Sequence, residues 1–303
     1  MKFMKYRYLY LLFSLCFLLP GMISLALYGL KPSIDFTGGS LLQIKVQQKP
    51  TPIELSQDTL QKIVGESYYI ASVQKTGQDD VLLRGKSISN DQKNVVLQKF
   101  QASFVSVKEE QFQTIGPILG KELLQKTIFA GILVTLIIIA YVWHQFHDLK
   151  YGVTAVVAMF HDAFIVLGAF SILGKLYNVE VDTLFVTALL TILSFSVHDT
   201  IIVFDRIRET VKLHPATPFI DVINAAVIQT LGRSINNSMT VVIMLLTLVL
   251  LGGQTVHWFA MALLIGAITG TYSSTFTAAP LLLVWNEVGA KVKQNSLPKT
   301  LKK

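Results

Sequence analysis

Long apolar stretches are the feature that most constrains the fold of this chain. Five of them follow one another between residues 127 and 285, and another covers residues 8–30. A helix that crosses a bilayer needs about 20 predominantly apolar residues. Charged residues make up only 15% of the chain, whereas soluble domains have about a quarter. The sequence therefore predicts an integral membrane protein with six spanning helices.

The distribution of Lys and Arg predicts how these spans cross the membrane. If the spans alternate, nearly all basic residues outside region 31–126 fall on one side, and the cytoplasmic side carries the positive excess. Both termini are then inside and region 31–126 is outside. The predicted parts are an N-terminal segment with the first span (1–30), an outer domain (31–126), a bundle of five spans (127–290) and a basic cytoplasmic tail (291–303). The predicted spans are residues 8–30, 127–143, 151–173, 181–204, 238–251 and 258–285.

The first span also has features of a secretory signal. Lys2, Lys5 and Arg7 precede the apolar run, and a signal peptide has an apolar core of about 7–15 residues. The run here is longer and long enough to cross a bilayer, so an anchor is favoured over a cleaved signal.

The outer region reads as a small α+β domain. Residues 39–48, 68–75, 81–86 and 105–113 have strand-like patterns, and 51–64 and 89–104 have helical patterns. Thr51-Pro52 marks the start of the first helix, and residues 77–80 mark a hairpin turn. The order β-α-β-β-α-β is that of a ferredoxin-like domain.

Two aspartates lie inside predicted spans. Asp162 is near the middle of the third span and Asp199 is in the inner half of the fourth, and each follows a histidine. A carboxylate at the centre of a spanning helix costs about 2.5–3.5 kcal/mol on insertion scales and usually marks an ion or proton route. The short His-Asp similarity favours a weak internal repeat, although chance also explains it.

Asp199 has two open interpretations from the residues alone. It lies six residues before Asp205, about 9 Å along a helix, so Asp205 reaches the interface and Asp199 does not. Asp199 is either a proton-exchanging group or a structural carboxylate bound to a neighbouring helix. Arg233, at the head of span five, is the cation to consider near it, or else a topology anchor. His161 and His198 titrate near neutral pH or are satisfied core histidines.

Other chemistries have little support in the sequence. The chain contains no phosphate-binding loop, HExxH or GxSxG motif. Its single cysteine excludes an internal disulfide. The net charge of +7 is explained by topology rather than by nucleic acid binding. We expect no cofactor, no metal and no hydrolytic activity.

Several motifs together resemble the SecF family, the smaller membrane subunits of the bacterial SecD–SecF export complex. The resemblance covers nearly the whole chain and rests on the order and spacing of the motifs. They are IDFTGGS (34–40), IGPILGKEL (115–123), HDAFIVLG (161–168), SVHDTIIVFDRIRE (196–209) and LIGAITGTYSSTFTAAPLLLVW (264–285).

The resemblance implies half of an RND-type permease fold, with six spans and the outer domain between the first two. It implies SecD, the SecYEG translocon, YajC and exported preproteins as partners, membrane lipid around the chain, and a bacterial inner-membrane location. The proton pathway falls on Asp199 and Arg233, with Asp162, His161 and His198 as possible supporting residues. The family often has Asn where this chain has His198. Asp205, Arg206, Arg208 and Glu209 form the cytoplasmic motif, and Asp35, Phe36, Thr37, Gly38 and Gly39 form a joint of the outer domain.

Two other functions remain open. One is half of a small-molecule efflux transporter of RND type, and the other is an assembly scaffold without transport. The motifs favour a subunit that uses the proton gradient, together with SecD, to promote preprotein export.

Overall fold

The computed structural model describes residues 3–48, 53–75, 79–146 and 148–296. The chain divides into two compact units. One unit is Pro32–Phe129, and the other combines Met1–Lys31 with Ala130–Lys303. We refer to them as the outer domain and the bundle.

Among the described residues the structure has the six predicted membrane-spanning helices, which confirms the predicted fold class. Each continues beyond its apolar stretch, because polar residues at a helix end stay hydrogen-bonded within the helix and reach the interface. The spans are Phe3–Tyr28, Pro117–Gln145, Leu149–Tyr177, Thr183–Leu213, Phe219–Leu251 and Val256–Gly289. The helices are α1 (Arg7–Tyr28), α5 (Pro117–Gln145), α6 (Leu149–Tyr177), α7 (Thr183–Leu213), α8 (Phe219–Leu251), α9 (Gln254–Ser273) and α10 (Ala279–Ser296).

The last span is interrupted by a different helical geometry. Between α9 and α10, Ser274–Ala278 form a π-helix. Such segments are rare and occur frequently at functional sites. This one is buried and packs against α1, α6 and α7. α7 itself packs against α6, α8 and α9, so it lies in the interior of the bundle.

The outer domain has the predicted β-α-β-β-α-β order. Its antiparallel sheet runs β2-β3-β1-β4, so the first strand is central and pairs with the third and the fourth. Apolar residues that alternate along β1, such as Leu42, Ile44 and Val46, face the helices and form the core with Phe100. The elements are β1 (Gly39–Gln47), α3 (Gln57–Val64), β2 (Ile70–Lys75), β3 (Asp80–Gly85), α4 (Asn90–Ser103) and β4 (Ser106–Ile115), preceded by a short α2 (Ile34–Thr37).

The start of α3 differs from the prediction. The helix begins at Gln57 and not near Thr51, because the Ser56 side chain caps it by accepting from the Thr59 backbone N–H. Thr51 and Pro52, and Gly77 and Gln78 of the predicted hairpin turn, lie outside the described residues. The start of α4 is as predicted, with a capping box formed by Ser89 and Gln92.

Candidate functional site: two buried aspartates in the bundle

Asp199 is buried in α7 and is bound by hydroxyl groups. Its side chain is 2% exposed. One of its carboxylate oxygens, Oδ2, accepts hydrogen bonds from Ser234 Oγ of α8 at 2.5 Å and from Ser274 Oγ of the π-helix at 3.2 Å. Within the described residues it has no ion pair with a Lys, Arg or His. Neutral hydrogen-bond donors stabilise the negative charge of a buried carboxylate less than a cationic partner does.

Arg233 lies at the same pocket as Asp199 without an ion pair to it. The pocket has a volume of about 560 Å³ and also includes His198, Ser234 and Asn237 in its wall. The Arg233 side chain is exposed and makes no hydrogen bond or ion pair with any other described residue. Apart from Ile202, the side chains in the pocket wall are polar, so the pocket brings polar groups next to the carboxylate.

Asp162 is the second buried carboxylate and is more fully enclosed. It is 0% exposed. Its Oδ2 accepts from Ser196 Oγ of α7 and from Ser273 Oγ of α9, each at 2.6 Å. Its Oδ1 lies 2.9 Å from His161 Nδ1. Asp162 therefore ties α6 to both α7 and α9 through hydroxyl groups.

The two His-Asp pairs, which look alike in sequence, differ in the structure. His161 is buried, and its Nε2 has no partner among the described residues. An unpaired buried N–H is less favourable than an unpaired lone pair, so we assign the proton to Nδ1, which donates to Asp162. His198 is exposed and lines the pocket beside Asp199.

A polar stripe runs along the exposed side of the bundle beside this pocket. On α7 it consists of residues spaced four and three apart, which share one helix face; α8 has a similar set. The exposed stripe residues are Thr187, Thr191, Ser194 and His198 on α7, and Gln229, Arg233, Asn236 and Thr240 on α8.

The charged cluster that follows Asp199 forms local ion pairs at the end of α7. Arg206 donates to Glu209 at 2.6 Å and to Gln229 of α8 at 2.5 Å. Arg208 lies 3.4 Å from Asp205. These pairs are partly exposed, so their contribution to stability is small, and their residues are separate from the buried aspartates.

The predicted joint residues of the outer domain adopt a constrained turn. Asp35, Phe36 and Thr37 lie in the short helix α2, and the two glycines after it have positive φ angles, 72° at Gly38 and 133° at Gly39. A Cβ on Gly38 would lie 2.6 Å from the Cα of Pro117. The turn therefore requires glycine for backbone angle and for space.

Sequence reasoning missed three of the four serines that bind the two aspartates, namely Ser196, Ser273 and Ser274. They stand inside the motifs that carry the family resemblance, but the residue type alone predicts no role for them. The available signal was an adjacent serine pair within an apolar span. Nothing in the sequence indicates the π-helix.

Comparisons with known proteins agree with this architecture. A family model described as protein export membrane protein SecD/SecF, C-terminal, matches residues 95–288. A second model, the SecD/SecF GG motif, matches residues 23–50, which include Gly38 and Gly39.

Relatives of similar length are each named protein translocase subunit SecF. One from Thermobaculum terrenum is 41% identical over 93% of this chain and 92% of its own length. One from Anaerolinea thermophila is 40% identical over 92% of each chain. One from Synechocystis is 36% identical over 85% of this chain and 83% of its own.

A solved structure extends the likeness to three dimensions. The crystal structure of SecDF, a translocon-associated membrane protein from Thermus thermophilus, is similar with a TM-score of 0.81 and 28% identity, over 95% of this chain and 39% of that one. This chain thus spans about two fifths of the length of the SecDF chain. With a family model that matches well over half of its residues and relatives of more than 30% identity along most of its length, this multi-pass membrane protein belongs to the SecD/SecF family of protein-export membrane proteins.

Proposed function

We propose that this chain is the SecF-type subunit of a SecD–SecF complex that uses the proton gradient to promote preprotein export, and that Asp199 is its proton-exchanging group. One observation carries the proposal: a carboxylate within a spanning helix is buried, has no cationic partner among the described residues, and borders a pocket lined mostly by polar side chains.

The environment of Asp199 supports proton exchange rather than a purely structural role. Burial penalises the charged carboxylate, whereas the two serine donors favour it. These opposing effects allow a modest change in water access, or an approach of Arg233, to shift the balance between protonated and charged forms. Such a group gains and loses a proton as the conformation changes.

The available energy is sufficient to bias a conformational equilibrium. One elementary charge that crosses 100 mV is worth about 2.3 kcal/mol. A bias of that size changes the ratio of two conformations by more than tenfold. In the proposal, this bias moves the outer domain through the joint at Asp35–Gly39, where Gly38 and Gly39 fix the turn.

The polar stripe on α7 and α8 supports a partner within the membrane. Ionisable side chains within spanning helices, such as His198 and Arg233 here, almost always face protein or water rather than lipid. We propose that the membrane helices of SecD cover this stripe and complete the proton pathway beside Arg233 and His198. SecYEG, YajC and the exported preproteins are proposed partners of the assembled complex.

The proposed membrane is the bacterial inner membrane, with both termini in the cytoplasm. In that orientation the ion-paired cluster around Asp205 and Arg208 is cytoplasmic and the outer domain projects into the extracytoplasmic space.

The test is an Asp199→Asn substitution in membrane vesicles that contain SecD and the translocon. We expect the variant to insert and to bind SecD but to lose the gradient-dependent stage of preprotein export. Asp221→Asn is the matched control, because Asp221 is an exposed carboxylate in the first turn of α8. Gradient-dependent export at the wild-type level by Asp199→Asn would leave the assembly scaffold as the better interpretation.

A further inference from the structure

The two buried aspartates share one attachment point. Asp162 accepts from Ser273, and Asp199 accepts from Ser274, which is the next residue in the chain. The link is reinforced on α7, where Ser196, bonded to Asp162, lies one helical turn from Asp199. A displacement of the serine pair therefore changes the hydrogen bonds of both carboxylates together.

The attachment point lies where the helical geometry changes. Ser273 is the last residue of α9 and Ser274 is the first residue of the π-helix. A π-helix accommodates an extra residue in the turn, and in α-geometry the same side chains would point in different directions. The direction of the Ser274 hydroxyl is thus determined by the register of this junction.

Other contacts fix the far end of the same segment. Thr277 Oγ1 lies 2.6 Å from Ser14 Oγ of α1. Ser273, Ser274 and Thr277 are all at most 3% exposed. The segment from Ser273 to Ala278, which we call the α9–π junction, is consequently held to α6, α7 and α1 by one hydroxyl contact each. Its contact to α6 is the one that Ser273 makes with Asp162.

The elements packed against this junction also carry ionisable side chains. They include His161 on α6, His198 on α7 and Arg233 on α8, with Tyr10 on α1 and Tyr272 on α9. Tyr272 donates to the Tyr10 backbone carbonyl and is thereby directed towards α1. Glu287 of α10 pairs with Arg7.

We propose that Asp162 is a positioning residue for the proton site: its hydrogen bond to Ser273 holds the α9–π junction in the register that directs the Ser274 hydroxyl to Asp199. This inference rests on the proposed function, since it gives Asp162 a role only if Asp199 exchanges protons. Because coupling between two sites is reciprocal, protonation of Asp199 weakens its hydrogen bond from Ser274 and thereby weakens the bond between Ser273 and Asp162. The junction thereby transmits the state of α7 to α6.

Stability alone does not account for this arrangement. A carboxylate in the middle of a spanning helix is costly, and an interhelical hydrogen bond in a membrane contributes only about 0.6 kcal/mol on average. A serine or asparagine at position 162 would bond the same hydroxyl groups at a lower cost. An acidic residue there is explained if it orients the donors more strongly than a neutral acceptor does.

The test measures the protonation of Asp199 directly. Infrared difference spectroscopy of the SecD–SecF complex in lipid discs, as a function of pH, reports the protonated carboxyl band, and Asp199→Asn identifies the component that belongs to Asp199. Ser274→Ala removes a donor to the charged carboxylate. We expect it to raise the titration midpoint of Asp199 by about one pH unit, a tenfold increase in proton affinity.

The decisive variant is Ser273→Ala, which changes no charge and removes no group that touches Asp199. We expect the titration midpoint of Asp199 to rise in Ser273→Ala as it does in Ser274→Ala. The Ser273→Ala/Ser274→Ala double variant should show no further rise, because both changes remove the contact between Ser274 and Asp199. Ser273→Cys is a second variant of similar size, whose thiol is a weak donor; it should give the same shift if the alanine variant fails to assemble.

The control is Ser171→Ala, because Ser171 is a buried serine of α6 that bonds Ser24 of α1 at 2.9 Å and does not belong to the aspartate clusters. It should leave the midpoint unchanged. A wild-type midpoint in the Ser273 variants, or additive shifts in the double variant, would overturn the role of Asp162 while the proposed function stands. If no titrating carboxyl band disappears in Asp199→Asn, the proposed function itself is overturned.

Discussion

The outer domain and the bundle place their polar side chains in opposite ways. Among the described residues, the outer domain buries few polar groups, namely the hydroxyls of Ser33, Ser40 and Tyr68. The bundle buries both aspartates, His161 and many hydroxyl groups. A domain in water stabilises itself by burying apolar surface, whereas lipid provides no such drive between helices. The difference follows from the two solvents, because apolar burial stabilises a domain in water whereas close packing and interhelical hydrogen bonds join helices in lipid.

Among substitutions that test this difference between the two interiors, we expect the largest loss of stability in the core of the outer domain. Phe100 of α4 is 0% exposed, and Phe100→Ala should lower the free energy of unfolding of the outer domain by about 3–5 kcal/mol, through lost apolar burial and a cavity. Pulse proteolysis of the full complex measures this loss. Val95→Ala on the same helix is the control, since Val95 is 45% exposed; equal losses would contradict the core assignment.

The next effect concerns the glycine turn of the outer domain. Gly38 has φ 72° and ψ 165°, a region that only glycine populates, at a cost to other residues of about 1–3 kcal/mol. Gly38→Ala should therefore destabilise the outer domain by at least that amount, because its Cβ also meets Pro117.

Gly116→Ala is the control for the turn, because a Cβ at Gly116 meets no atom within 4 Å. The same proteolysis assay reports both variants. A neutral Gly38→Ala would show that the turn tolerates other backbone angles.

A smaller effect is expected from a hydroxyl pair in the bundle. Ser171→Ala removes the contact with Ser24 and should lower the free energy of unfolding by about 0.6 kcal/mol. Unfolding of the protein in bicelles measures it, with the Ser24→Ala/Ser171→Ala cycle to isolate the pair. A loss of unfolding free energy as large as that of Phe100→Ala would show that the two interiors do not differ in how they are stabilised.

The smallest effect appears only at alkaline pH. Burial raises the pKa of Tyr68 above its usual value of 10.0, against an opposing hydrogen bond from Ser40. A raised pKa means that the folded domain holds this proton more tightly than the unfolded chain. The resulting stability is complete below about pH 10 and is lost as the pH rises through the folded pKa.

Unfolding of the outer domain across this pH range tests the Tyr68 effect. Tyr68→Phe should remove the alkaline loss of stability. Tyr69→Phe should retain it, because Tyr69 is 66% exposed. If Tyr68→Phe still loses stability at alkaline pH as the wild type does, another group is responsible for that loss.

The sequence predictions are accurate where the interacting residues are close in the chain, and they fail where those residues are far apart in the chain. The predicted start of α4 is correct to within one residue, because the capping box that fixes it is formed by Ser89 and Gln92, which are only three residues apart. The predicted start of α3 was wrong. Both Thr51-Pro52 and Ser56 match the pattern of a helix start, and in the structure Ser56 caps the helix. The serines that hold Asp162 and Asp199 come from other helices, up to 111 residues away in the chain, and no local pattern indicates such pairs.

The sequence by itself determined the six spans, the order of the outer domain and the presence of two aspartates inside the membrane, because hydropathy and periodicity act along the chain. Only the tertiary structure decided that His161 is buried while His198 is exposed, that Arg233 shares a pocket with Asp199 without an ion pair, and that Ser273 and Ser274 join the two carboxylates at a π-helix. Those features depend on which helix faces meet, and in a bundle of apolar helices the packing of all helices together sets those faces.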